Sequence, residues 1–226
     1  MTRIRISKAD HDRITQAIHA AERTSDAEIV TVVAPRSDAY HDVGLHYAIA
    51  AMLCLLALVA AFPLRFSDCA TALLGGWDHS LPVAVQLTLL LAAQIIMFLA
   101  VRYALAWMPL RIALTPGATR TRRVRRQAVT IFRACAEGRT RGRTAILIYL
   151  SLAEHRAEIV ADESISRLVA PERWGDAMAA LLDHARRGDP GTGMVEAIGR
   201  IGEILAEYLP HSDSNPNELP DRLIEL

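Results

Sequence analysis

The chain has 226 residues, 25 basic and 25 acidic side chains, and a hydrophobic share of 52%. Its formal net charge of zero excludes a chain-wide polyanion- or polycation-binding character. Three scattered cysteines, Cys54, Cys69 and Cys135, form neither a Cys-x-x-Cys pair nor a disulfide framework, so a disulfide-stapled secreted domain is not expected.

Met1 to Ala9 alternates basic and apolar residues without the apolar core of a signal peptide, and no cleavage is expected there. Ser7 to Thr24 reads as a helix. Ile14, Ala17, Ile18 and Ala21 recur at helical spacing, and Ser7 or Asp10 supplies a cap. Glu28 to Ala34 (EIVTVVA) is β-branched and apolar and is followed by Pro35, which predicts a strand that stops there.

Leu45 to Phe62 contains no Asp, Glu, Lys or Arg, and at 1.5 Å rise per residue it covers about 27 Å, close to the apolar thickness of a bilayer. Leu81 to Val101 is a second apolar run, interrupted only by Gln86, Thr88 and Gln94. Tyr47, Tyr103 and Trp107 suit the water–lipid boundary. These runs predict a transmembrane hairpin with spans at 45–62 and 81–101. The short connection, Pro63 to Ser80, carries Arg65 alone among basic side chains, with Cys69, Trp77 and His79 facing out. After the second span come Arg102, Arg111, Arg120, Arg122, Arg123, Arg125 and Arg126. Basic residues near span ends stay in the cytoplasm, so both termini are expected there. Gln86 and Gln94, eight residues apart, share nearly one helix face and are expected to serve interhelix packing. Two spans without an intramembrane acid are too few for a solute pathway unless several copies assemble.

Thr119 to Glu137 predicts a helix ended by Gly138. Val124, Ala128, Ile131, Phe132 and Cys135 form its apolar stripe, with Arg122, Arg125, Arg126 and Arg133 off it. Arg122, Arg125 and Arg126 are expected to contact the membrane surface through anionic lipid headgroups. Nucleic-acid binding is not expected, because stacking aromatics and a recognised motif are both missing around them. Thr144–Leu152 and Arg156–Ala161 predict a β-hairpin closed by Ala153–His155. Pro171 opens a helix carrying Trp174, Ala177, Met178, Leu181, Leu182 and Ala185. Thr192 to Leu209 forms the last, in which Gly199 and Gly202 allow close helix approach. Pro210 begins a polar tail.

Glu154, His155, Glu158, Asp162 and Glu163 crowd the central hairpin. Glu158, Asp162 and Glu163 are the candidate metal ligands, since a divalent cation needs several converging oxygens and strand ends often carry functional groups. The alternative is a solvated turn with Asp162 as a helix cap. Nucleophile elbows, phosphate loops and His-Glu-x-x-His pairs do not occur, so catalytic residues are not identified.

AERTSDAEIVTVV (21–33), RTAILIYLSLAEHRAEIVADESI (143–165), Trp174, AIGRIGEILAEYLP (197–210) and NPNELPD (215–221) together resemble the TPM domain family, in its bacterial membrane-protein branch. The resemblance implies an α/β fold: a TPM-like α/β/α sandwich interrupted by the two-helix transmembrane hairpin. The first part of the cytoplasmic domain takes 1–44, the hairpin 45–108, the second part 109–209 and the tail 210–226. Some relatives imply acid phosphatase activity and divalent-cation binding, Ca2+ or Mg2+; others are assembly modules. The chain departs from the phosphatase-like branch, lacking its Asp-Pro-Ala-Gly-like opening and its Trp-x-x-Gly-like element. The expectation is therefore a membrane-anchored interaction or assembly module in a bacterial inner membrane, with a protein partner or homo-oligomer. A metal-dependent phosphatase or hydrolase is the alternative.

Overall fold

The computed structural model describes residues 6–74, 81–136, 144–212 and 218–226. In chain order these form α1 (Lys8–Glu22), β1 (Glu28–Ala34), α2 (His41–Ala61), α3 (Pro63–Leu73), α4 (Val83–Ala104), α5 (Met108–Leu114) and α6 (Gly117–Cys135). Then follow β2 (Ala145–Ser151), β3 (Arg156–Ala161), α7 (Glu163–Leu168), α8 (Gly175–Arg186), α9 (Pro190–Tyr208) and β4 (Leu223–Glu225), with a 3-10 turn at Pro171–Trp174. Trp77, His79, Gly138 and residues 215–217 of the tail motif, on which sequence expectations rest, lie outside the described residues. The chain divides into two compact units, Met1–Asp38 with Gly117–Leu226, and Ala39–Pro116.

The first unit is a mixed α/β structure built on one four-stranded sheet of order β3-β2-β1-β4. β1 runs parallel to both β2 and β4, while β2 and β3 are antiparallel. Every residue of β1 and of β2 is buried, as strands covered on both faces require, and this is why both read as near-continuous apolar runs. Alternation sorts their side chains. Ile29 and Val33 with Ile146, Ile148 and Leu150 join Ile14, Ile18, Leu181, Ile198 and Ile201 from α1, α8 and α9. Val30, Val32 and Leu147 face the other way, against Val124, Ala128, Ile131 and Phe132 of α6.

α1 starts where a reciprocal cap forms: Asp10 N–H donates to Ser7 Oγ at 3.1 Å, and Ser7 N–H donates to Asp10 Oδ2 at 3.2 Å. Helices α1 and α9 approach closely at Gly202, where an added Cβ would lie 2.7 Å from the Ala21 Cβ; at Gly199 nothing stands within 4 Å. The tail differs from its sequence reading. Leu223–Glu225 is a strand, with Thr31, Val32 and Val33 opposite Leu223, Ile224 and Glu225. Three residues are too few to show a period, so local pattern could not announce it.

In the second unit, α2 and α4 are long and apolar enough to cross a membrane. At 21 and 22 residues they measure about 32 Å each. Their apolar stretches are 17% and 0% buried, and Leu53, Leu58, Leu87, Leu91, Ile95 and Ile96 are among the exposed side chains. Gln94 Nε2 of α4 donates to the Met52 carbonyl of α2 at 3.1 Å. Residues 63–73, read from sequence as connecting loop, form α3: Phe62 leaves helical geometry, and Pro63 at the first turn opens a helix rather than breaking one. Arg111 of α5 is buried and spends its guanidinium on backbone, donating to the carbonyls of Leu105 and Ala39, each at 2.6 Å.

Candidate functional site

The three acids expected to gather around the central hairpin are held by different partners. Glu158, opposite Tyr149 in the β2–β3 ladder, faces Arg125 of α6 at 3.4 Å. Burial pushes its carboxyl above the usual range, and Arg125 opposes the shift. Asp162 occupies the N-cap position of α7 but does not cap it. Its Oδ2 instead accepts the Ala145 N–H at 3.1 Å, tying the end of β3 to the start of β2. Glu163 points outward and pairs with Arg167 at 2.5 Å, one turn along α7. Glu158 lies within β3, Asp162 at the junction and Glu163 in α7, so the change of element parts side chains that are close in sequence.

Glu154 is buried in the β2–β3 turn, where it accepts the Ser37 N–H at 2.9 Å and the Ser151 hydroxyl; the next residue, His155, takes a left-handed φ of 48° to complete the turn. Of the arginines expected at a lipid surface, Arg125 is engaged by Glu158, while Arg122 and Arg126 are exposed on α6. Gln94 reaches α2, as described; Gln86 donates to the carbonyl of Leu81 at 2.9 Å, on its own chain segment.

A different set does converge. His19, Glu22 and Asp221 offer one ligand atom each, all within 4.8 Å of one another. Helical spacing of three residues stacks His19 over Glu22 in the last turn of α1. Glu22 Oε1 accepts the Ile29 N–H at 2.9 Å, which closes the turn from α1 into β1. The opposite wall comes from the segment leading into β4: Asp221 Oδ2 lies 2.9 Å from His19 Nδ1, with its side chain only 10% exposed. Beside them Glu28, at the start of β1, accepts the Leu219 N–H at 3.2 Å.

The electrostatics are unusual for so small a region. Burial, with Asp221 and Glu28 close by, pushes the Glu22 carboxyl up to about 8. Burial also raises Glu28, with Asp221 and Glu218 as the repelling charges. The charges that act on these two carboxyls are therefore acidic. Such an arrangement takes up a proton, or a cation, more readily than isolated carboxylates do.

Sequence reasoning missed this group because its members come from opposite ends of the chain and meet only through the β1–β4 pairing. One local signal was present. Glu28 opens a strand that is otherwise apolar and wholly buried, a position that demands a partner.

The raised carboxyls fix the sign of a pH effect. A group whose folded pKa exceeds its unfolded value gives stability that is complete below the unfolded value, near 4.5, and lost as pH rises through about 8. In buffer containing a chelator, the melting temperature of the α/β unit is expected to fall from about pH 5 to pH 8. Glu22→Gln keeps the acceptor for Ile29 and should flatten that decline and raise the melting temperature at the upper end. An unchanged slope in the variant would remove Glu22 as its source.

Neither a family model nor a curated protein matches the chain. Among solved structures, it is similar to the NMR structure of the BA42 protein from the psychrophilic bacterium Bizionia argentinensis. That match has 14% identity and a TM-score of 0.56, covering 100% of this chain and 99% of that one. At this identity the likeness concerns the fold alone.

Proposed function

We propose that this chain is an integral protein of a bacterial inner membrane, in which α2 and α4 cross the bilayer as a hairpin and the α/β unit is a TPM-like domain on the cytoplasmic side. The observation that carries the reading is the exposure of α2 and α4. Leu53, Leu58, Leu87, Leu91 and Ile96 are each 58–66% exposed. Contiguous apolar surface of that extent needs lipid or another protein to cover it. The arginine distribution supports the orientation: Arg65 alone lies between the two helices, whereas seven arginines fall between Arg102 and Arg126.

Within this reading the domain works as a membrane-anchored interaction or assembly module. The hydrolase alternative rests on the family resemblance and on Asp162, whose Oδ2 accepts the Ala145 N–H. Partner binding is tested by recovery from mild detergent, where a reproducible partner or a second copy is expected; a solitary monomer under all mild conditions would overturn the assembly role. Topology is tested by a membrane-impermeant maleimide on spheroplasts. Cys69 in α3 should label from outside, while Leu226→Cys in a chain whose three native cysteines are replaced by serine should label only after permeabilisation. The reverse pattern would overturn the orientation.

Arg122 and Arg126 follow α4 closely in sequence, and each contributes on the order of 1 kcal/mol near an anionic surface. In nanodiscs, amide exchange over residues 117–135 should be slower with anionic than with zwitterionic lipid. The difference should vanish in an Arg122→Gln/Arg126→Gln double variant. Equal exchange in both lipids would remove headgroup contact from the reading.

A further inference from the structure

We propose that His19, Glu22 and Asp221 form a binding site for one divalent transition-metal ion of the zinc or manganese class, which clips the C-terminal segment onto α1. The inference is independent of the membrane reading, since all three residues belong to the α/β unit.

Three features carry it. The donor set is mixed, one imidazole with two carboxylates, which distinguishes it from an ordinary patch of surface acids. Imidazole with carboxylate suits zinc and its neighbours, whereas calcium takes six to eight oxygens and magnesium keeps an octahedral, largely watery shell. Secondly, the ligands come from two separate segments, so coordination closes a loop through nearly the whole chain. Their atoms lie within 4.8 Å of one another. Tetrahedral zinc wants them about 3.3 Å apart; His19 Nδ1 and Asp221 Oδ2 already stand 2.9 Å apart, and the His19 side chain is 53% exposed. Thirdly, the surroundings favour positive charge. Glu28 stands behind Glu22 and Asp221, and the charges acting on Glu22 and Glu28 are acidic. The Glu28 carboxylate is held by the Leu219 N–H and steadies the same segment that presents Asp221. Three protein ligands leave a fourth position for water.

The structural consequence is local. β4 has only three residues and, among the described residues, pairs with β1 alone, at the sheet edge. An ion joining Asp221 to α1 sits just ahead of it and would hold the strand in place.

The test uses the full-length chain in detergent, without a polyhistidine tag and stripped by chelator. Zn2+, Mn2+, Mg2+ and Ca2+ are titrated separately by calorimetry. One saturable Zn2+ or Mn2+ site per chain is expected, with Mg2+ and Ca2+ at least tenfold weaker. His19→Gln and Glu22→Gln should each weaken binding tenfold or more. His19 is half exposed and Glu22→Gln keeps the Ile29 hydrogen bond, so neither variant should compromise the fold. Amide exchange of Leu223–Glu225 should slow on addition of the ion. Absence of a saturable site, or undiminished binding in both variants, would overturn the site. Binding that leaves the β4 amides unchanged would overturn the clip.

Discussion

Ile96→Arg is expected to reduce the membrane-integrated fraction of the chain to a few per cent of wild type. Ile96 lies near the middle of α4 and is 66% exposed. Arginine at the centre of a spanning helix costs about 2.5–3.5 kcal/mol on the insertion scale, where isoleucine contributes about −0.3 to −0.6. The exchange therefore shifts insertion by about 3 kcal/mol, or roughly a hundredfold. The same substitution on the solvent face of a water-soluble helix would be near neutral or would raise solubility. The two readings of α4 thus predict opposite results from one variant. Tyr103→Arg supplies the control. Tyr103 is 73% exposed and lies one residue before the end of α4, beside Arg102, where a further arginine should be almost silent. Resistance to alkaline carbonate extraction measures the fraction. If Ile96→Arg and Tyr103→Arg extract alike, α4 is not embedded in lipid.

Those elements were legible whose pattern is local and long. Ser7 and Asp10 announce the start of α1, and the apolar runs announce α2, α4, β1 and β2. The stripe of Val124, Ala128, Ile131 and Phe132 identifies the buried side of α6, all four being buried against the sheet. Short elements escaped. β4 exists because β1 offers an open edge, not because Leu-Ile-Glu has strong preferences of its own. The opening of α3 shows a related ambiguity, since proline punctuates a chain both as a loop residue and as the first residue of a helix.

The same distinction governs the candidate site. Glu158, Asp162 and Glu163 drew attention by adjacency in sequence, yet each has its own partner on a different element. His19, Glu22 and Asp221 were unremarkable one by one: a helix-surface histidine, a helix-end acid and an acid in a proline-rich tail. Their meeting depends on the C-terminal segment folding back beside α1 and β1, which is a property of tertiary pairing. A long-range cluster of this kind becomes visible only once the edge strand is placed.

Leu147→Ala should cost the α/β unit about 2–5 kcal/mol, the range for removing a large aliphatic side chain from a packed core. Leu147 is fully buried at the middle of β2, between Val30 of β1 and Val160 of β3, on the face covered by α6. Small domains have only about 5–15 kcal/mol of total stability, so the loss is a substantial part of the whole. Because alternate residues of β2 serve opposite cores, the damage should be directional. In Leu147→Ala, amide exchange should rise first in α6. In Ile148→Ala, the neighbour that packs with α1, α8 and α9, it should rise first in those helices. Pulse proteolysis across a urea series gives the overall loss for both variants, and exchange mapping gives its location. Identical exchange maps would mean that α6 and the α1–α8–α9 layer unfold as one cooperative body, with the sheet coupling its two faces tightly. A loss below about 1 kcal/mol for Leu147→Ala would contradict the packing of α6 on the sheet.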